Sequence, residues 1–217
     1  MKKETLNHGD IFYLKLEDFD KYIFGTILFD VDKQYFNSEF KQDSESCLNS
    51  FRGCQVIRMY KGIYDTPELP KKLEVLINEI FIYSLESKYT RIEWRKIGHQ
   101  KIDYKTIEFP EIIGNSYGKV RLLRGELYID TPYIDAEEFD ISWSFEYPEV
   151  LANECVYQQG KEELISGEFY SGEFENLNLR NFPEMRTKVY EDLGLDPNKS
   201  YYELSKEMGY DLARLYE

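Results

Sequence analysis

Apolar and polar residues alternate along two neighbouring stretches near the start of the chain, and this alternation predicts a β-hairpin. The first arm, residues 10–16, carries its larger apolar side chains on one face by the two-residue period of a strand. An acidic turn at 17–20 leads to a second arm, residues 22–29, which is rich in β-branched and aromatic residues. Gly25 inside the second arm predicts a bend or a close approach of another part of the backbone.

Further strands are predicted through the rest of the first half. They lie at residues 54–60, 75–85, 91–97 and 104–109. The stretch 75–85 partly fits an amphipathic helix, but its β-branched residues and the lack of a preceding N-cap favour a strand. The polar stretch 30–50 predicts a long loop or a loop with one short strand. The whole pattern predicts an antiparallel, partly rolled sheet or a small barrel.

The second half begins with more strand signals. A glycine-rich loop at 114–118 leads into a strand at 119–123, and a hairpin follows at 124–129. The loop lacks the Gly-Lys-Ser/Thr ending of a phosphate-binding loop. Alternating Ile, Trp and Phe at 141–145 predict a short strand behind an acidic turn, and 154–157 predicts another.

Two helices are predicted at the C-terminus. Pro183 suits a first helical position, Gly194 suits a helix end, and Ser200 with Glu203 has the spacing of a capping box. One apolar stripe of the second helix consists of Leu204, Met208, Leu212 and Leu215. The predicted fold class is therefore α+β, mostly β, with both helices packed on the sheet. We expect residues 1–110 to form a β-rich region and 111–217 an acidic hairpin region with the helical pair, both within one compact domain.

The opening hairpin resembles the start of the immunity protein 26 family of bacterial polymorphic-toxin systems. The sequence GDIF is followed by an alternating arm, a short acidic turn and KYIFGTIL. The matching residues are Gly9, Asp10, Ile11, Phe12, Leu14, Leu16, Lys21, Tyr22, Phe24, Gly25 and Leu28. The resemblance implies a protein that inhibits a cognate toxin domain by binding it, without catalysis. We interpret Gly9, Asp10 and Gly25 as structural, forming a turn into the sheet and a bend within it.

Charge is spread unevenly along the chain. The net charge is −14, and residues 126–175 hold fourteen acidic side chains against one basic residue, Lys161. This surplus opposes nucleic-acid binding through that face and suits either solubility or a basic partner. The net-positive stretch holds a basic cluster, Arg91, Arg95, Lys96 and Lys101, which we expect to balance the acidic segment.

Other features predict a soluble cytoplasmic protein without a cofactor or a metal. No apolar run follows the N-terminal lysines, and no stretch approaches the roughly 18 apolar residues of a membrane span. The odd number of cysteines, Cys47, Cys54 and Cys155, favours free thiols in a reducing compartment. The two histidines, His8 and His99, have no zinc-ligand spacing, and no serine-nucleophile motif is present. We therefore expect no enzymatic activity.

Residues 137–147 interleave aromatic rings with acids, which is typical of a surface that steers and then holds a basic partner. The candidate toxin-binding residues are Glu137, Glu138, Asp140, Trp143, Glu146 and Glu149. The alternative interpretation of 141–145 is a strand whose rings face the core while the acids cap turns.

Two functions remain open besides toxin binding. One is an adaptor or ligand-binding module whose N-terminal barrel would bind a peptide or small molecule in a groove lined by Tyr13, Tyr22 and Phe24. The other is an enzyme that uses paired carboxylates.

Overall fold

The structure is a computed structural model that describes residues 4–39, 46–116, 118–139, 141, 144–167, 169 and 174–216. The chain forms two compact units that interleave along the sequence. The first unit comprises Met1–Val31, Gly53–Ile102 and Phe145–Ser171. The second comprises Asp32–Arg52, Asp103–Ser144 and Gly172–Glu217.

A five-stranded antiparallel sheet forms the first unit. Its strands are β1 Asp10–Lys15, β2 Tyr22–Asp30, β3 Cys54–Tyr60, β4 Val75–Tyr83 and β5 Trp94–His99. The strand order is β4-β3-β2-β1-β5, so the hairpin predicted from the sequence lies at the centre. In the described part of the chain β4 and β5 are the two edges and do not pair with each other. The sheet is therefore open and is not a closed barrel.

Two glycines of the hairpin have the structural roles that the sequence predicted. Gly9 has φ +85°, a left-handed conformation that suits glycine, and it forms the turn into β1. A Cβ on Gly25 would lie 2.6 Å from both Met59 Sδ and Phe12 Cζ, so this residue permits a close approach. Asp10 is almost fully buried, and its carboxylate accepts hydrogen bonds from Asn7 N–H (2.9 Å) and Lys96 Nζ (2.7 Å). The Gly-Asp pair thus fixes the end of the sheet.

Helix α1, Pro148–Tyr157, packs against β4. The strand predicted at 154–157 is wrong, because these residues form the last turn of this helix. Pro148 stands at the first helical position, and the buried residues Leu151, Ala152, Cys155 and Val156 recur at the spacing of one helix face. The β-favouring run Cys155-Val156-Tyr157 is thus incorporated into a helix because its predecessors extend the same buried face.

A three-stranded antiparallel sheet forms the base of the second unit. Its strands, in sheet order, are β6 Glu111–Ser116, β7 Lys119–Arg124 and β8 Leu127–Asp130. The β7–β8 hairpin confirms the prediction at 124–129. The predicted glycine-rich loop at 114–118 is wrong over most of its length, because Gly114 pairs with Arg121 inside the β6–β7 ladder.

Helices α2, Pro183–Asp192, and α3, Tyr201–Glu207, confirm the predicted C-terminal pair. The capping box of Ser200 and Glu203 is present. The predicted apolar stripe is wrong beyond Leu204: α3 ends near Gly209, whose φ is +92°, and residues 212–215 form a separate 3₁₀ turn. Met208 is 39% exposed.

Short helical segments replace two predicted features. Residues 104–109 hold a 3₁₀ turn, Tyr104–Thr106, where a strand was predicted. The Asp103 side chain accepts a hydrogen bond from Lys105 N–H (3.1 Å) and so starts a turn in place of a strand. The described part of the stretch 30–50 holds a π-helix, Val31–Phe36, and a 3₁₀ helix, Cys47–Phe51.

A buried ion network joins the sheet of the second unit to its C-terminal segment. Glu111 on β6 is fully buried and accepts hydrogen bonds from Arg180 Nε (2.9 Å) and Arg186 Nε (2.6 Å). The nearly inaccessible Arg124 on β7 pairs with Glu108 and donates to Tyr190 Oη (3.2 Å). Buried charges need such partners, and here they come from α2 and the segment before it.

Candidate partner-binding surface

The six predicted binding residues divide between the two units. Glu137 and Glu138 lie in a 3₁₀ turn of the second unit, and Glu146 and Glu149 belong to the first. Asp140 and Trp143, and the Glu138 side chain, lie outside the described residues. The short strand predicted at 141–145 is wrong for its described residues, because Ile141, Ser144 and Phe145 are not in a strand, while residues 142 and 143 lie outside the described part of the chain.

Glu137 is exposed on a turn that a buried ring anchors. The turn ends at Phe139, which is buried and packs edge-on against Tyr133 with 4.7 Å between ring centroids. The Tyr133 hydroxyl donates to Asp192 Oδ2 of α2 (2.6 Å). The acidic turn is thereby attached to α2, and Glu137 in this turn is exposed to solvent.

Glu146 continues the edge of the five-stranded sheet. Its backbone forms a parallel bridge with Ile82: Tyr83 N–H donates to Glu146 O (2.8 Å), and Glu146 N–H donates to Phe81 O (3.3 Å). This pairing covers the end of β4 and brings the residues on either side of Glu146 beside Tyr83.

Glu149 has a structural contact in addition to its negative charge. It lies in the first turn of α1, and its carboxylate accepts hydrogen bonds from the backbone N–H groups of Arg91 and Ile92, the latter at 2.9 Å. A carboxylate there also interacts favourably with the positive end of the helix dipole. Glu149 therefore orients the loop before β5 as well as contributing charge.

Two pairs of aromatic rings from distant parts of the sequence meet beside Glu146. This aromatic cluster consists of Tyr83, Tyr89, Phe145 and Tyr147. Tyr83 stacks on Phe145 with 5.7 Å between centroids, and Tyr147 lies at the same distance from Tyr83. Tyr89 lies 6.3 Å from Tyr83. Tyr89 is 60% exposed and Tyr147 48%, so the cluster presents ring surface to solvent.

Sequence reasoning missed Tyr83 and Tyr89 as candidate binding residues. Tyr83 lies in the strand predicted at 75–85 and Tyr89 lies between this strand and the next predicted one, and no local motif marks either residue. The one signal available was that Tyr89 is an aromatic residue in a polar turn, Ser87-Lys88-Tyr89-Thr90.

The loop that carries Tyr89 is held by several hydrogen bonds. Within it, Tyr89 N–H donates to Ser87 Oγ (3.1 Å), and Thr90 Oγ1 donates to Ser84 O (2.8 Å). At its base, Leu85 N–H donates to Gln55 Oε1 (3.1 Å), and the Gln55 side-chain amide donates to Asp30 Oδ2 (2.8 Å). These bonds reduce the conformational entropy that the loop would lose on binding.

The aromatic groove considered as an alternative is filled. Tyr13 and Phe24 are buried and pack with Tyr60 in one cluster of the first unit. Tyr22 and Tyr64 lie against them at 5.2 Å from Tyr13 and 5.1 Å from Phe24, respectively. Tyr13 and Phe24 therefore belong to the core of the unit, and Tyr22 is partly buried against this core.

Part of the basic cluster has a partner outside the acidic segment. Lys96 pairs with Asp10 at the end of the sheet, and His99 Nδ1 lies 2.9 Å from the same carboxylate. Burial by itself would raise the pKa of Asp10, but the hydrogen bonds from Lys96, Asn7 and His99 outweigh it and lower that pKa. The arrangement stabilises the sheet end.

The three cysteines are buried free thiols, in agreement with the prediction. Burial raises the pKa of Cys47 and of Cys155, which disfavours the reactive thiolate. Across the described ranges, no group of three or more His, Cys, Asp or Glu side chains is arranged to hold a metal ion.

None of the helices in the described part of the chain combines the length and the apolar character needed to cross a membrane.

One of the comparisons with known proteins agrees with the resemblance at the N-terminus. The protein is of the α+β class, with an open antiparallel sheet whose central hairpin carries the Gly-Asp turn. The family model for Immunity protein 26 matches residues 7–116, half of the chain, and the protein belongs to this family. Neither the search of curated proteins nor that of solved structures found a match.

Family membership points to toxin neutralisation, and immunity proteins are generally non-catalytic. The matched range runs from the turn before β1 to the end of β6 and includes Tyr83 and Tyr89. All six residues predicted from the acidic segment lie beyond it, as do Phe145 and Tyr147.

Proposed function

We propose that this protein is a cytoplasmic immunity protein that binds a cognate bacterial toxin domain and neutralises it by protein–protein contact. The observation that carries the proposal is the family match over residues 7–116. The protein acts by occupying a surface of the toxin, and it needs no cofactor.

The toxin that we propose is a basic domain, and a nuclease is the class that fits best. The immunity chain has a net charge of −14, concentrated in residues 126–175. A nuclease must carry basic side chains to bind phosphate, so an acidic inhibitor is attracted to the surface that the toxin needs for its substrate.

The proposed toxin contacts are the six acidic-segment residues, each considered within its own unit. Glu137, Glu138 and Asp140 steer association, because exposed charges accelerate encounter between oppositely charged surfaces. Trp143 supplies apolar contact area of the kind that retains a partner. Glu146 contributes charge beside the aromatic cluster, and Glu149 contributes partly through the loop that it orients.

The adaptor or ligand-binding alternative has less support. It needs an accessible aromatic groove in the N-terminal sheet, whereas Tyr13 is 5% exposed and Phe24 is fully buried. Binding at these rings would require the core of the first unit to open.

Co-expression tests the proposed function directly. The gene immediately upstream is first examined for a toxin domain. That domain is then produced in a bacterial host with and without the full-length immunity protein, and growth is scored. We expect growth arrest by the toxin alone and rescue by co-expression, with a direct complex recovered by size-exclusion chromatography. An unrelated acidic protein of similar charge is the control. Growth arrest that persists despite a well-folded, abundant immunity protein contradicts the proposal.

A further inference from the structure

We propose that the aromatic cluster of Tyr83, Tyr89, Phe145 and Tyr147 anchors the toxin, and that the toxin residue it receives is an arginine or lysine side chain. This inference rests on the proposed function and adds to it the binding surface and the chemistry of the contact. Two of its rings, Phe145 and Tyr147, belong to the stretch 137–147 that the sequence singled out, although neither was named as a binding residue, and Tyr83 and Tyr89 lie outside that stretch.

Exposure of the rings supports a binding role. Tyr89 and Tyr147 are 60% and 48% exposed, although each lies within 6.3 Å of the ring of Tyr83. Tyrosine is enriched among the residues that dominate binding energy, because its ring offers a large contact area at a low cost in conformational entropy. Two partly exposed tyrosines, each beside the ring of Tyr83, therefore form a compact anchor.

The backbone beneath the cluster is well ordered. Tyr83 is in β4, and the Glu146 bridge fixes Phe145 and Tyr147 beside it. The hydrogen bonds of Ser84, Ser87 and Gln55 hold the loop that carries Tyr89. A binding surface that is already ordered loses less entropy when the partner docks.

The electrostatics of the cluster favour a cation. The faces of aromatic rings carry negative potential, and Lys88 Nζ already lies 4.9 Å from the centre of the Tyr89 ring. Glu146 precedes Tyr147 in the chain, and both lie within the stretch that holds fourteen acids and one base. An arginine or lysine side chain of a basic toxin can stack on the exposed rings, and the acidic stretch attracts such a cation during encounter.

The cluster also combines two parts of the chain. Tyr83 and Tyr89 come from the range matched by the family, and Phe145 and Tyr147 come from beyond it. The proposed anchor thus joins a ring pair from the matched range to a ring pair from beyond it.

The test measures binding of the full-length protein to the upstream-encoded toxin domain, made non-toxic by substitution of its own active site. Tyr89→Ala and Tyr147→Ala are compared with the control Tyr157→Ala. Tyr157 is 37% exposed at the far end of α1, about 15 Å along the helix from Tyr147. Circular dichroism and thermal unfolding confirm that each variant is folded, and isothermal calorimetry gives the affinity.

We expect Tyr89→Ala and Tyr147→Ala each to weaken binding by about tenfold or more and Tyr157→Ala to leave it unchanged. Tyr89→Phe keeps the ring and should bind like the wild type, whereas Tyr89→Leu keeps apolar area without a ring and should not. Equal binding by Tyr89→Leu and the wild type would overturn the cationic contact. Equal binding by both alanine variants would overturn the anchor.

Two further outcomes separate this inference from the proposed function. If the wild type neither binds nor neutralises the toxin, the proposed function fails and this inference fails with it. If the wild type neutralises the toxin and the alanine variants do so equally well at equal affinity, the proposed function stands and the anchor fails. A dimer of the chain alone that Tyr89→Ala and Tyr147→Ala abolish would assign the cluster to self-association and also overturn the anchor.

Discussion

Arg186 on α2 donates its Nε–H to Oε2 of Glu111 on β6 at 2.6 Å, and the carboxylate that it reaches is fully buried. The two residues are 75 positions apart in the chain. Arg180 and Arg124 approach the other carboxylate oxygen at 2.9 and 3.4 Å. A single carboxylate thus lies beside three guanidinium groups and fixes α2 and the segment before it to the sheet of the second unit.

We expect Glu111→Gln to destabilise the protein strongly. Removing one member of a buried charge network leaves the others uncompensated and costs about 3–5 kcal/mol. In a chain of this size that corresponds to a fall in Tm of roughly 10 °C, measurable by differential scanning calorimetry. Glu207→Gln is the matched control, since Glu207 pairs with Lys199 on the surface and the substitution changes net charge equally. Equal melting of both variants would contradict a stabilising role for the network.

The same carboxylate predicts a stability that falls in acid. Burial by itself would raise the pKa of Glu111, but the hydrogen bond from Arg186 and the charges of Arg124 and Arg180 outweigh it, so the pKa lies below the ordinary 4.5. Because the folded-state pKa is the lower one, this stabilisation is complete above 4.5 and is lost as the pH falls through the folded value.

Urea unfolding from neutral pH down to about pH 3 should therefore show the wild type losing stability below about pH 4.5. Glu111→Gln, which has no proton to gain at this site, should lose less over the same range. A wild-type profile parallel to that of the variant would show that Glu111 does not contribute to the acid response.

We expect charge reversal in the acidic turn at 137–140 to slow association with the toxin. The triple variant Glu137→Lys, Glu138→Lys and Asp140→Lys should bind with an association rate about tenfold lower, because charges at the rim act mainly on encounter. Added salt should slow the wild type and have less effect on the variant. Stopped-flow fluorescence with the inactive toxin measures both effects.

A matched triple reversal controls for the change in net charge. Glu17, Glu68 and Glu191 are exposed and lie outside the acidic stretch. Their reversal to lysine should slow association much less. If both triple variants associate equally slowly, the effect comes from net charge and not from the acidic turn. If the association rate of the wild type does not change with salt, electrostatic steering does not contribute to binding.

We expect the fragment 1–110 not to fold on its own. It lacks α1, which packs on β4, and the arginines that pair with Glu108. Far-UV circular dichroism and thermal unfolding should show a broad, weak transition where the full chain unfolds cooperatively. A sharp transition, or neutralisation of the toxin by the fragment, would contradict this expectation. The description of 1–110 and 111–217 as parts of one domain stays a prediction.

The strands of the first unit were predictable because each carries its signal locally. The two-residue period and the β-branched and aromatic residues placed the strand at Cys54–Tyr60 correctly and β1, β2 and β4 to within one or two residues at their ends. The capping box of Ser200 and Glu203 was readable for the same reason, since both partners lie within one turn.

The sequence did not predict helix α1, although Pro148 and the helical spacing of the apolar residues after it can be seen there. Its last turn, Cys155-Val156-Tyr157, favours a strand by local preference, and packing against β4 overrides that preference. Gly114 was misread in the opposite sense: it looked like a loop residue, but pairing with Arg121 keeps it in a strand.

The candidate binding surface also has a part that the sequence predicted and a part that only the tertiary structure shows. Composition and charge alone pointed to the acidic segment, and the opening hairpin alone pointed to the family. The aromatic cluster could not be found in this way, because Tyr83 and Phe145 are 62 positions apart and meet through the bridge of Ile82 with Glu146.

The sequence by itself determined the strand periods, the helix caps, the acidic surplus and the family, because each depends on neighbouring residues or on simple counts. The tertiary structure decided the open sheet, the network around Glu111 and the meeting of Tyr83 and Tyr89 with Phe145 and Tyr147. Those features depend on contacts between distant segments, whose loop-closure cost is offset only by burial and pairing across the whole fold. Local sequence patterns therefore do not indicate which distant residues will be in contact.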